Sequence, residues 1–201
     1  MNRSFRRSVL VLWFAAAVPA STLPVWADDV KDCRSGESAW SDVGHSFDAC
    51  RRLADDGDPR VEYKVAVMYN YGLGVPPDYG EGSVWLLRAA EQGFAPAETA
   101  LGDMFRQGMG VDRNYAEAAK WYLKAAEQGY GSAQHALGAA YAAGRGVPQD
   151  DVEGYMWLSL AAARLEPKAD ADRDAVAARM SPEQILTAEE FAREWKPAPP
   201  S

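Results

Sequence analysis

At 201 residues, 48% hydrophobic and 25% charged, the chain has ample apolar content for a core and too much to remain disordered. Its formal charge of −8, from 21 basic and 29 acidic residues, excludes a nucleic-acid binder that relies on phosphate attraction. Two cysteines and two histidines are too few for a zinc-finger framework.

The first segment reads as an export signal. Arg3, Arg6 and Arg7 precede an uninterrupted apolar run from Val9 to Val18, and Val25-Trp26-Ala27 then forms a small-residue cleavage site before Asp28-Asp29. This order predicts a signal peptide over residues 1–27, cut after Ala27. The apolar run falls well short of the ~20 residues that a membrane-spanning helix needs. Arg6-Arg7 only loosely resembles a twin-arginine signal, so the general secretory route is expected. No cysteine directly follows the run to carry a lipid anchor. Cleavage would remove three arginines and no acid, taking the net charge to −11 and placing the mature protein in a periplasm or outside the cell. That acidity favours basic or mixed-charge protein surfaces as partners.

Residues 28–57 echo the chain on their C-terminal side. Gly36, Asp42, Ala54 and Gly57 each lie 36 residues before Gly72, Asp78, Ala90 and Gly93, so this segment reads as a degenerate N-terminal capping repeat with a shortened first helix. In the same register Cys33 stands where Tyr69 does, and Cys50 where Leu86 does. Those positions should face each other inside a helical hairpin, and in an oxidising compartment they predict a Cys33–Cys50 disulfide.

The central region repeats every 36 residues. Gly72, Gly108 and Gly144 keep that step, as do Trp85, Trp121 and Trp157, and Tyr69, Phe105 and Tyr141. The string AAEQG occurs at 89–93 and again at 125–129. Three units result, over 58–93, 94–129 and 130–165, each reading as two helices. In the second unit Ala97, Leu101, Gly102 and Phe105 mark one buried stripe, and Gly108-x-Gly110 closes the helix. Asn114 with Glu117 opens the next helix in the pattern of a capping box, as do Asp78 with Glu81 and Asp150 with Glu153. The first unit departs most, with Val61, Val65 and Ala66 at the small, Leu and Gly positions. One hairpin cannot bury both its faces, whereas stacked copies can, so the fold expected is an all-α solenoid.

Residues 166–196 should form a C-terminal cap. A helix is expected from Asp170 to Met180, and a second opens at Ser181-Pro182-Glu183-Gln184 with an apolar stripe of Ile185, Ala188, Phe191, Ala192 and Trp195. Residues 197–201, with Pro197, Pro199 and Pro200, are expected to be a disordered tail.

The unit pattern A-x-x-x-L-G-x-x-[YF]-x-x-G-x-G-V-x-x-[DN]-x-x-[EA], followed by Trp and A-A-E-Q-G, closely resembles the Sel1-like repeat family, relatives of tetratricopeptide repeats. The resemblance implies a right-handed superhelix of stacked hairpins that binds other proteins along its concave face. The groove positions transferred from the tetratricopeptide relatives form the rows Tyr63, Thr99 and His135; Val67, Asp103 and Ala139; and Asn70, Arg106 and Ala142. These positions vary between units where the buried ones repeat, and Asp103 and Arg106 are the central charged pair.

Chemistry is sparse by comparison. Asp170-x-Asp172-x-Asp174 has Ala175 and Ser181 where a calcium loop wants Gly and Glu, so the acids read as a helix N-terminus. His45 and His135 have no metal-ligand spacing to each other or to a cysteine, so neither a metal nor a cofactor is expected. No G-x-S-x-G elbow or S-x-x-K motif occurs. Cysteine-rich relatives linked to penicillin-like compounds carry a Cys pair in each repeat, and this chain has one pair in total. The expectation is a non-catalytic periplasmic adaptor or regulatory scaffold, monomeric, with a protein or peptide partner in the cell envelope. The alternatives are an envelope polysaccharide or peptidoglycan binder, for which the tryptophan row would have to be exposed, and a β-lactam-type hydrolase.

Overall fold

The repeat spacing sets where helices begin and end, and the computed structural model describes residue 33 and residues 43–198. Among these residues the chain forms helices and no strands. Helix α1 (Val43–Ala54) is followed by α2 (Pro59–Tyr71) and α3 (Tyr79–Glu91), the first hairpin. Then come α4 (Ala95–Gln107) and α5 (Tyr115–Glu127), and α6 (Gly131–Ala143) and α7 (Asp151–Ala162). Helices α8 (Ala169–Ala177) and α9 (Pro182–Glu194) close the chain. The proposed signal peptide at 1–27 lies outside the described residues.

Each second helix starts on a short polar side chain. Asp78, Asn114 and Asp150 each accept hydrogen bonds from the backbone two and three residues on, satisfying otherwise orphaned N–H groups. The backbone N–H groups of these same residues donate to the carbonyls of Tyr69, Phe105 and Tyr141, fixing the loop between helices. The reciprocal half of the capping box expected at Glu117 and Glu153 does not form. Glu117 pairs with Lys120, and Glu153 accepts from the Trp157 indole. The full box forms at Ser181, whose hydroxyl accepts from the Gln184 backbone while the Gln184 side chain accepts from Ser181 N–H.

The glycine turns do more than end helices. Gly110 and Gly146 hold φ of 68° and 81°, and a Cβ on either would run into the backbone of Tyr79 or Tyr115 in the preceding unit. The loop of one unit is therefore seated on the second-helix N-terminus of the unit before.

Helices pack mainly on their neighbours in sequence, from α1 on α2 through α6 on α7. Apolar side chains form one cluster from Cys50 through Val61, Val65, Leu86 and Leu101, and another from Tyr122 through Leu137 to Trp157. Phe105 packs against both and makes the core continuous. Val61, Val65 and Ala66, the departures in the first unit, are fully buried, so that hairpin closes with its own residue set.

Both ends are covered. Cys33 and Cys50 are joined in a disulfide with Cα atoms 5.4 Å apart, and both are buried. At the other end α8 and α9 pack on α7, burying Tyr155 and Leu158 against Val176 and Ala188. The first of these helices is shorter than the Asp170–Met180 span read from sequence. Residues 197 and 198, expected to be disordered, are tied down instead. The Ala198 N–H donates to the Glu127 carbonyl at 2.7 Å, and Trp195 packs edge-on against Trp157 with ring centroids 6.1 Å apart.

Candidate functional site

A groove of about 430 Å³ opens between α4, α5 and α6. Thr99, Asp103 and Arg106 come from α4, Tyr115, Ala118, Ala119 and Tyr122 from α5, and Ser132, His135, Ala136, Ala139 and Ala140 from α6, with Arg145 on the loop after α6. Thus the structure brings Thr99, Asp103, Arg106, His135 and Ala139 together on one surface, out of the rows expected from sequence. The short alanine side chains give the groove its depth, and Ala139 and Ala140 stand where the preceding units carry Val67 and Asp103, and Met68 and Met104.

The remaining row members are placed differently. The Tyr63 ring packs edge-on against Phe94, with centroids 5.6 Å apart. Asn70 lies over Gly82, where its Oδ1 is buried without a hydrogen-bond partner among the described residues. Val67 is half-buried. These three side chains belong to α2, whereas the groove is lined by α4, α5, α6 and the loop after α6.

At the groove floor three polar groups meet. The Tyr122 hydroxyl donates to Asp103 Oδ1 at 2.8 Å, and Arg106 donates to the same oxygen through Nη2 at 2.8 Å and Nε at 3.1 Å. Arg106 Nε also donates to the Tyr122 oxygen at 3.1 Å. Burial, and then the adjacent Asp103 charge, push the Tyr122 pKa far above the usual tyrosine range, so its proton stays on to be donated. Burial acts against the Arg106 charge, but its hydrogen bonds to Asp103 and Tyr122 outweigh this and raise its pKa. The tyrosine ring reaches the floor because residue 102 is glycine; a Cβ there would come within 2.6 Å of the ring.

The groove's other side is held by the C-terminal cap. His135 Nε2 lies 2.7 Å from Asp172 Oδ2 on α8, and Ser132 donates to Glu166 at 3.1 Å. Thr99 donates its hydroxyl to the Ala95 carbonyl, so that donor is already engaged within α4. Asp170 and Asp174, the other two acids of the supposed calcium run, pair with Arg173. Among the described residues no group of three or more His, Cys, Asp or Glu side chains could hold a metal ion.

Tyr122 and Arg145 are groove residues that the family pattern does not single out, yet the sequence carries a signal for both. Along the 36-residue step, position 122 reads Leu86, Tyr122, Leu158, and position 145 reads Leu73, Met109, Arg145. Positions 103 and 106 differ in all three units, so the second unit's break with the repeated leucine at Tyr122 falls against two positions that the repeat leaves variable. Trp85 and Trp157 are buried in the core, and Trp121 is half-buried with Lys124 Nζ 3.9 Å from its ring centroid.

A family profile described as Sel1 repeat matches residues 59–94, 95–130 and 131–164. Among solved structures, c5321, a protective antigen of uropathogenic Escherichia coli strains with an SLR fold, is similar at a TM-score of 0.75 and 25% identity. The match covers 85% of this chain and 36% of that one, so the chain spans only about a third of that relative. A Sel1 repeat protein from Oxalobacter formigenes is similar at a TM-score of 0.67 and 27% identity, covering 84% of this chain and 70% of the other. No curated protein sequence matches.

Proposed function

The chain belongs to the Sel1 repeat family, whose members generally mediate protein–protein interactions, and from this premise we propose that it is an exported, non-catalytic adaptor that docks a protein or peptide partner in the groove between α4 and α6. The observation that carries the reading is the tyrosine at 122, where the neighbouring units have leucine, which joins Asp103 and Arg106 in a polar network at the groove floor. A core position such as Leu86 or Leu158 needs no hydroxyl for packing, so the network points to a requirement other than stability.

Export is supported by the Cys33–Cys50 bridge, since disulfides persist in oxidising compartments. Among the described residues no helix is long and apolar enough to cross a membrane. The burial of Trp85 and Trp157 favours a protein partner over a glycan, because these rings serve packing instead of offering a stacking row.

The test is recovery of partners from an envelope extract by immobilised wild type, Arg106→Glu and Ala139→Trp proteins. Ala139 is exposed in the groove, so a tryptophan there should fill it without disturbing the core. Partners held by wild type should be lost from both variants. Equal recovery by all three would remove the groove from the binding surface.

A further inference from the structure

We infer that the groove receives an acidic side chain, aspartate or glutamate, from an extended segment of the partner protein. This rests on the groove being the docking site and goes further by naming the chemistry that it selects.

Two arginines in adjacent units set that chemistry. Arg106 replaces Asn70 and Ala142 of its row, and Arg145 replaces Leu73 and Met109 of another, yet both side chains line the same groove. Two separate departures from the repeat thus place cations on one surface of a chain whose overall charge is −8. Arg145 is exposed, and its guanidinium has no ion-pair or hydrogen-bond partner among the described residues. Arg106 directs Nη2 and Nε to the floor network, which holds its fork in place and leaves Nη1 without a partner among the described residues.

The acids nearby are already engaged. Asp103 takes three donors on one oxygen, Asp172 is bonded to His135, and Glu166 accepts from Ser132. Beyond these pairs the groove presents the Arg145 guanidinium over walls of Ala118, Ala119, Ala136, Ala139 and Ala140. A planar guanidinium recognises a carboxylate with two parallel hydrogen bonds, and one already positioned loses less freedom on binding. Arg106 is ion-paired with Asp103, so Arg145 is the groove's unpaired arginine, while negative charge elsewhere on the protein is screened over roughly 8–10 Å at ordinary ionic strength. The low alanine walls favour a segment with small residues beside the acid.

The test uses a display library of random twelve-residue peptides, selected on the oxidised protein, with the selected sequences then synthesised as C-terminal amides so that side chains supply the only carboxylates. Peptides selected by wild type and blocked by Ala139→Trp should be enriched in Asp and Glu. Their affinity, by fluorescence anisotropy, should fall roughly tenfold on Arg145→Ala, as loss of a charge-assisted hydrogen bond predicts. Selection on Arg145→Glu should turn toward Lys and Arg. Circular dichroism of each variant should match wild type, since Arg145 lies outside the packed core. Groove-binding peptides without acidic enrichment, or with affinity unchanged by Arg145→Ala, would overturn the inference and leave the docking site standing. If no selected peptide is blocked by Ala139→Trp, both the docking site and its acidic preference are overturned.

Discussion

Leu165 shows most directly how the repeat disciplines a single residue. The step of 36 residues puts Gly57, Gly93 and Gly129 at helix-ending positions with φ of 80°, 77° and 84°, and Leu165 inherits that position with φ of 59°. An L-residue in the left-handed region is disfavoured by its Cβ, and Leu165, 90% exposed, gains no burial in return. Replacing it with glycine removes that strain while adding unfolded-chain entropy, for a net stabilisation of about 0.5–1 kcal/mol. A higher denaturation midpoint for Leu165→Gly, with the helical signal unchanged, is the expected outcome. Gly102 is the converse case. There the absent Cβ is required by a particular neighbour, Tyr122, so its significance could be read only once that ring was placed.

At the scale of the element, the A-A-E-Q-G string acquires a purpose that periodicity alone did not disclose. Its glutamine reaches back to the start of its own unit: Gln92 donates to Glu62 at 2.7 Å, and Gln128 to Glu98 at 2.7 Å. Each pair clips the end of the second helix to the beginning of the first. Glu98 is only 3% exposed, and this burial raises its pKa from 4.5 to about 7, with Lys124 opposing the rise. The folded protein therefore holds this proton more tightly than the unfolded chain does. The stability contribution is complete below about pH 4.5 and is lost as pH rises through about 7. Thermal unfolding across that window should show wild type losing more stability with rising pH than Glu98→Gln, which keeps an acceptor for Gln128. Parallel pH profiles for the two proteins would dismiss the buried carboxylate as their source. Glu62 and Glu98 keep the 36-residue step, so a search for repeated polar residues would have marked them.

The whole molecule is a stack in which a unit's stability comes chiefly from the units beside it. Among the described residues its two ends are finished by different means, a disulfide holding α1 and two helices, α8 and α9, packed on α7. Closing the loop between Cys33 and Cys50, 17 residues apart, should contribute about 3 kcal/mol on a chain-entropy account. In a stack this loss should stay local. Hydrogen exchange of the Cys33→Ser, Cys50→Ser double variant should quicken in α1 and α2 and leave α5 to α7 near wild-type rates. Uniform acceleration along the chain would mean that the protein unfolds as one unit, not as a series. The same modular logic explains how much was legible early. The three units, their hairpins, the capping residues and the cysteine pair follow from patterns within 36 residues, and the helices appear where those patterns put them.

Sequence by itself determined the all-α repeat, its family and the facing of Cys33 with Cys50, because each depends on local periodicity copied at a fixed step. The tertiary structure decided which exposed positions share a surface. It moved Tyr63 and Asn70 into packing, gathered Asp103, Arg106 and Tyr122 into one network, and brought Arg145 from the next unit alongside them. It also replaced a bulk argument with a local one. Net acidity favours basic or mixed-charge partner surfaces, whereas the groove itself presents an unpaired Arg145, and recognition there is governed by the charges within a screening length. Such a grouping joins residues from different helices and different units. A linear chain records each of them, while only the stacking of one hairpin on the next sets the distances between them.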